Sequence, residues 1–211
     1  MALEIVLIGG GGHALVVAEA AALVGTRVLG VYDDAPSPVA TLRLNIPRLG
    51  PLANATRAPA PAPAILALGD LAARRRILDH LPRSFTWAEP VVHPDAVLHA
   101  SATLAQGVYI GPRAIVHSFA AVAAHAILNS ACLVEHECRV GENTHLAPGT
   151  LLGGRVTVGL DTLLGLGSRI LPNLSVGDRA VVGGGALVHR CIPDDTTVVG
   201  VPAEPIPHRV R

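Results

Sequence analysis

The sequence predicts a small parallel α/β domain followed by an all-β parallel solenoid, and three observations carry that reading. Stepping by six from Val92 to Val188, all seventeen positions are Val, Leu or Ile. Aromatic residues make up only 2% of a 211-residue chain that is 50% apolar. Ahead of the repeat, apolar runs end in glycine or aspartate turns and alternate with Ala- and Leu-rich stretches.

The repeat is the strongest of the three. Neither a helical period of 3.6 nor a strand period of 2 gives an unbroken six, whereas a fixed short period marks a solenoid. Four residues after each branched position, from Ala96 to Ile192, the residue is mostly small and never charged. Each hexad is then one strand plus its corner, and three hexads make one coil. The branched side chain fills the interior and the small one fits the inner corner. Gly, Asn and Asp between them, as in Gly141-Glu142-Asn143 and Gly177-Asp178, supply the turns. A prism this narrow has little room for aromatic rings, which accounts for their scarcity. The run carries no inserted loop.

In the first domain, residues 4–10 read as a buried strand entering a glycine turn. Residues 13–24 read as a helix, 28–32 as a second strand ending at Asp33-Asp34, and 65–68 as a third ending at Gly69-Asp70. Residues 71–81 read as a second helix, and the Ala/Pro stretch 58–64 as a loop. The result is a Rossmann-like β-α-β unit over residues 1–88, with ligand-facing turns at the strand ends. Residues 89–211 form the solenoid. The turn Gly9-Gly10-Gly11-Gly12-His13-Ala14 satisfies the dinucleotide fingerprint, with Asp33 about twenty residues on. The half-domain is too short for a second mononucleotide half, so a nucleotide-sugar diphosphate at the helix N-terminus is the better reading. A turn that needs glycine only for its backbone shape is the bland alternative, and an NAD-binding module rests on this turn alone.

Composition narrows the function. Formal net charge is zero, and no basic block stands out beyond Arg74-Arg75-Arg76, read as a solvated helix face, so nucleic acid is not an expected partner. Cys132, Cys138 and Cys191 lack CxxC spacing and read as small buried residues in a reducing compartment. No apolar stretch is long enough for a membrane helix, and residues 1–8 lack a basic leader. A cytoplasmic protein is expected. His93, His99, His117 and His125 invite a metal reading, and His99 and His117, one coil apart, should stack. Without a carboxylate in view they read as interfacial or solvated, and no metal is expected.

Several segments recur together in order: Ile8-Gly9-Gly10-Gly11-Gly12-His13, Tyr32-Asp33-Asp34, Ala67-Leu68-Gly69-Asp70, Val92-His93-Pro94, Leu128-Asn129-Ser130, Val134-Glu135-His136-Glu137-Cys138, His145-Leu146-Ala147-Pro148-Gly149, Leu171-Pro172-Asn173 and Gly200-Val201-Pro202-Ala203. In this order the chain resembles, over nearly its whole length, the bacterial hexapeptide-repeat sugar acetyltransferases. These include UDP-4-amino-sugar and GDP-perosamine N-acetyltransferases and sialic acid O-acetyltransferases. The resemblance implies a left-handed β-helix, acetyl-CoA as co-substrate, and a homotrimer with each site at a subunit boundary. It implies His136 as general base, with Glu137 raising its basicity. It also implies that His145 contacts acetyl-CoA, with Leu166 and Gly184 lining the pantetheine groove. The nucleotide-sugar would meet Gly11, Gly12, His13, Asp33, Asp34 and Gly69. The chain departs from the family at Leu71, often Asn, at Glu204, usually Lys, and over residues 35–63.

The chemistry suits those residues. A sugar amine needs to lose a proton before its lone pair can attack a thioester, and a neutral imidazole can take it. Direct attack without an acyl-enzyme is expected, because Cys132 and Cys138 fall at interior positions. Glycines such as Gly154 are candidate oxyanion donors. N-acetylation of a 4-amino sugar nucleotide is the leading expectation, with sialic acid O-acetylation as the alternative. A catalytically dead β-helix that binds nucleotide-sugar or scaffolds partners is the reading from another class; the presence of both His136 and His145 argues against it.

Overall fold

The computed structural model describes residues 3–55, 60–82 and 85–206. The chain divides into two compact units, Met1–Pro94 and Asp95–Arg211. Among the described residues no helix is long and apolar enough to cross a membrane.

The first unit is a four-stranded parallel sheet. Its elements are β1 (Glu4–Ile8), α1 (Gly12–Leu23), β2 (Arg27–Tyr32), α2 (Val39–Leu44), β3 (Arg48–Gly50), α3 (Leu52–Ala55), β4 (Ala64–Leu66) and α4 (Leu71–His80). Strand order is β3-β2-β1-β4. Ile5 to Ile8 are all buried, the mark of a central parallel strand covered on both faces. Helix α1 buries the small residues Ala14, Val17, Ala18, Ala20 and Ala21. The expected strands and helices are present, but α2, β3 and α3 went unread in residues 35–63. They are three to six residues long, too short to show a period. Ala58 and Pro59, at the start of the expected loop, lie outside the described residues.

The second unit is a left-handed parallel β-helix of two-residue strands on three faces. The first face runs from Val97–Leu98 to Leu187–Val188, and the second from Thr103–Leu104 to Ser175–Val176. Within this unit the third runs from Tyr109–Ile110 and closes with Thr197–Val199 and the antiparallel Glu204–Pro205. As far as Val188 each strand residue pairs with the one eighteen further on, as Leu133 does with Leu151, and the last coil closes in sixteen, with Val181 against Thr197. The hexad reading holds at side-chain level. Ile110, Val116, Leu128, Val134, Leu146 and Leu164 are wholly buried, as are the corner residues Ala114, Ala120, Cys132, Cys138 and Val156. Buried hydroxyls at the same corner position find carbonyls: Thr144 donates to Gly159 at 2.6 Å and Thr162 to Gly177 at 2.7 Å.

The corners contain a regularity that residue types did not announce. Every sixth residue from Gly107 to Gly185 has positive φ, and most of these are not glycine: Arg113, Phe119, His125, Ala131, Glu137 and Arg155 among them. A left-handed conformation costs a side-chain-bearing residue about 1–2 kcal/mol. Stacking offsets it, because the conformation aims the corner N–H along the prism axis into the coil below. Glu137 N–H donates to Ser118 O at 3.0 Å, and Arg155 N–H to His136 O at 2.9 Å.

Candidate functional site

His136 and Glu137 occupy the corner between the first and second faces. Adjacent residues on a strand point to opposite sides, so their contact requires the corner. The positive φ of Glu137, 60°, swings its side chain beside its neighbour, and His136 Nδ1 lies 3.0 Å from Glu137 Oε2. An ionised carboxylate only accepts, so Nδ1 is the donor, and in the neutral ring Nε2 then presents a lone pair. Arg155, one coil on, places Nη1 3.7 Å from the same carboxylate oxygen. On the other side, Glu135 Oε2 accepts from the His136 N–H at 3.3 Å.

The imidazole lies over the next coil, where Gly154 stands. A Cβ at that position would sit 2.6 Å from His136 Nε2, so the glycine clears the space that the ring occupies. Below, the rings of His99 and His117 stack with centroids 4.4 Å apart, as their spacing required. The carboxylate missing from the sequence reading is Glu135, whose Oε1 is 4.0 Å from His117 Nε2. Among the described residues no group of three or more His, Cys, Asp or Glu is placed to hold a metal ion.

The residues assigned to acetyl-CoA lie elsewhere on the prism. Leu166 and Gly184 stack one coil apart at the corner between the third and first faces, and Leu166 is 63% exposed. This corner is rich in glycine: Gly149, Gly167 and Gly185 share it, and a Cβ at Gly167 or Gly185 would meet open space. His145 begins a strand of the third face, 3.5 Å from Asn129 Nδ2. In a triangular prism the third face lies opposite the corner that holds His136. A hexad spans at most about 20 Å, which puts the separation of His145 and His136 on the order of 15 Å. One chain therefore brings His136 and Glu137 together but does not bring His145 to them.

Burial disposes of two thiols. Cys132 is pushed up to about 12 by burial and donates to Ala147 O at 3.2 Å. Cys138 is also raised by burial and donates to Gly153 O at 3.2 Å. Cys191 departs from the expected buried state: it is exposed, and hydrogen bonding from Ser175 holds its thiol below the usual range. Glu204, in place of the family's Lys, pairs with Arg190.

In the first unit, the glycine turn divides by function. Gly9 has φ of 97°, and a Cβ at Gly10 would sit 2.5 Å from Pro38 Cβ, so these two serve the backbone. A Cβ at Gly11, Gly12 or Gly69 meets nothing within 4 Å, which leaves their backbone open to a ligand. Gly11 caps α1, which begins without a side-chain cap and without an acidic residue in its first turn, an arrangement suited to an anion. His13 is half-buried in that turn. Asp33 has a structural role beside its expected one as a ligand contact. Its two oxygens accept from the N–H groups of Gly10 at 2.6 Å and Ala35 at 2.7 Å, which latches the turn to the end of β2. Asp34 accepts from Leu52 N–H at 3.0 Å and borders a cavity of about 360 Å³ shared with Leu68, Arg76 and His80. Arg74, expected on a solvated face, is 1% exposed.

The model of the PglD N-terminal domain matches residues 4–81. A variant of perosamine N-acetyltransferase from Caulobacter crescentus, solved with CoA and GDP-perosamine, is 32% identical over 97% of this chain and 97% of its own, with a TM-score of 0.86. The acetyltransferase domain of PglB from Neisseria gonorrhoeae, solved with acetyl coenzyme A, is 29% identical over 98% of this chain and 100% of its own, with a TM-score of 0.87. WeeI from Acinetobacter baumannii, at 23% identity over 97% of this chain and 100% of its own, shares the fold with a TM-score of 0.81. No curated protein matches the chain.

Proposed function

Because the chain belongs to the acetyl-CoA-dependent sugar N-acetyltransferases, we propose that it acetylates the 4-amino group of a nucleotide-linked amino sugar, with His136 as general base. The observation that carries the reading is the corner pair: His136 Nδ1 held 3.0 Å from Glu137, with Nε2 turned to the space that Gly154 clears. Nε2 takes a proton from the attacking nitrogen as it forms the C–N bond to the thioester carbonyl carbon. The C–S bond then breaks, and the CoA sulfur leaves as the thiolate, which the imidazolium can reprotonate. Glu137 fixes the tautomer and stabilises the transient imidazolium. The absence of a usable thiol at Cys132 or Cys138 supports direct attack. These buried free thiols also fit a cytoplasmic enzyme.

The open backbone at Gly11, Gly12 and Gly69 would receive the diphosphate, and the cavity beside Asp34 would seat the base. Asp33 acts behind them by holding Gly10. Acetyl-CoA would lie along the glycine corner at Leu166 and Gly184, with His145 in contact. Since these lie away from His136, a neighbouring copy in a homotrimer would complete each site.

The test is CoA release from acetyl-CoA, followed with a thiol reagent, over UDP-4-amino-4,6-dideoxy sugars, GDP-perosamine, dTDP-4-amino sugars and sialic acid. Turnover on one amino-sugar nucleotide, lowered about 10²–10⁴-fold in His136→Ala, is the expected result. Turnover on sialic acid alone moves the assignment to O-acetylation. Undiminished turnover in the variant removes His136 as the base.

A further inference from the structure

Among the described residues Arg74 is the most deeply buried cation of the first unit, and it takes no part in the proposed reaction. It sits in the second turn of α4 and is 1% exposed. A single nitrogen, Nη1, donates to Leu66 O at 3.1 Å and to Leu68 O at 3.0 Å. Leu66 ends β4, and Leu68 follows it two residues on. Ala64 already bonds outward there, donating to Thr86 O and accepting from Ala88 N–H, and in a strand the bonding direction alternates. Leu66 O faces the same way, among the described residues no strand pairs with it there, and a buried carbonyl without a donor is costly. The guanidinium supplies that donor and pins two carbonyls two residues apart.

This fixes more than the end of a strand. The pinned segment leads directly into Gly69, and Asp70 caps α4 by accepting from Ala73 N–H at 2.6 Å. The Leu68 side chain also rests against the other turn. A Cβ on Gly9 would sit 2.4 Å from Leu68 Cγ, so Leu68 fills the space that Gly9 leaves. Arg74 therefore holds Leu68, and Leu68 bears on Gly9. The turn at Gly69 and the turn at Gly11 and Gly12 are set as one piece from beneath.

We propose that Arg74 is a positioning residue for the nucleotide-sugar: it sets the spacing of the two glycine turns without touching the ligand. The proposal rests on the reading of these turns as the nucleotide-sugar seat. It predicts a split in kinetic constants, because the solenoid that carries His136 and the acetyl-CoA groove is a separate unit.

The experiment compares Arg74→Met, Arg74→Lys and Leu68→Ala with the unsubstituted enzyme. Steady-state kinetics are measured in both substrates, and UDP, GDP and dTDP binding by calorimetry. In Arg74→Met the KM for nucleotide-sugar should rise by about tenfold. The kcat and the KM for acetyl-CoA should stay within about twofold, and Arg74→Lys, which keeps a donor, should recover part of the loss. Leu68→Ala keeps the guanidinium and its carbonyls, and removes the contact with Gly9 together with one wall of the cavity beside Asp34. It should raise the same KM, and Arg74→Lys, with a KM between those of the parent and a donorless side chain, decides the question if Arg74→Met does not fold. Equal losses in kcat and both KM values would reduce Arg74 to a structural residue and overturn the proposal. So would unchanged nucleotide-sugar KM in folded variants. Unsubstituted protein that neither turns over nor binds any of these nucleotides overturns the functional reading together with the proposal.

Discussion

Gly154→Ala separates the chemistry of this protein from its stability. The added Cβ would lie 2.6 Å from His136 Nε2 and 2.7 Å from Cε1. Ordinary contact begins at about 3.5 Å, so the ring must retreat by roughly 0.9 Å. The fold has little to lose. The clash is with the far end of a half-exposed side chain, and the φ of Gly154 lies outside the left-handed range. Alanine at a compatible position gains about 0.4–1 kcal/mol by restricting the unfolded chain, so Tm should hold or rise by up to about 4 °C. Turnover should not hold, because Nε2 is the atom that takes the proton, and a displacement of about 1 Å can cost 10²-fold. That corresponds to about 2.7 kcal/mol of transition-state stabilisation. Thiol release under saturating acetyl-CoA and acceptor measures kcat, and thermal unfolding measures Tm. Gly153→Ala is the control: its Cβ would meet the rigid backbone and ring of Pro172 at 2.7–2.8 Å, so it should lower Tm first. A Gly154→Ala enzyme with unaltered Tm and kcat within about threefold of the parent would refute the placement of Nε2 at the reacting proton.

Two further outcomes follow from the same coordinates. Gly10→Ala should destabilise by about 1–3 kcal/mol through collision with Pro38. Gly11→Ala, with open space around its Cβ, should keep Tm and raise the KM for nucleotide-sugar; equal Tm losses in both would show that the turn is uniformly structural. Iodoacetamide at pH 8 should label one thiol per chain, counted by mass spectrometry. The sign follows from the thiolate population: burial pushes Cys132 up to about 12 and raises Cys138, so both stay protonated, whereas Cys191 is exposed with its thiol lowered. Rapid labelling of a second cysteine in folded protein would contradict the packing of the prism core.

The solenoid was legible because its signal is a period, and a period survives substitution at any one coil. The corner conformation was not. Phe119, Ala131 and Glu137 do not look like left-handed residues, and only the stacked N–H bonds one coil below make that conformation tolerable. The contact of Glu137 with His136 depended on that conformation and so could not be derived from adjacency. The glycine turn was visible as a motif, yet the motif did not say which glycines serve the backbone. Pro38 and Leu68, from distant segments, decide that for Gly10 and Gly9. The spacing of Asp33 suggested a ligand contact and did not show that its oxygens also hold Gly10 and Ala35. Arg74 shares a basic triplet with Arg75 and Arg76, and the carbonyls of Leu66 and Leu68, distant from it in any sequence pattern, explain why this one turns inward.

Spacing within an eighteen-residue coil also says which residues can meet. Residues eighteen apart stack, as His136 does on Gly154 and Leu166 beneath Gly184. Residues nine apart fall half a turn away from each other, and His136 and His145 are nine apart. If both serve one reaction, as the proposed function holds, the base of one copy meets the acetyl-CoA groove of another. Co-assembly of His136→Ala with His145→Ala tests this. Each variant alone should be nearly inactive. In randomly mixed trimers at equal amounts, a working site needs the base from one variant and the groove from the other, which occurs at about a quarter of the boundaries. Recovery of about a quarter of the parent activity after mixing and reassembly is the expected result. No recovery from demonstrably mixed trimers would place both histidines' functions within a single chain, and the half-turn spacing would then require that one of them lies outside the reaction.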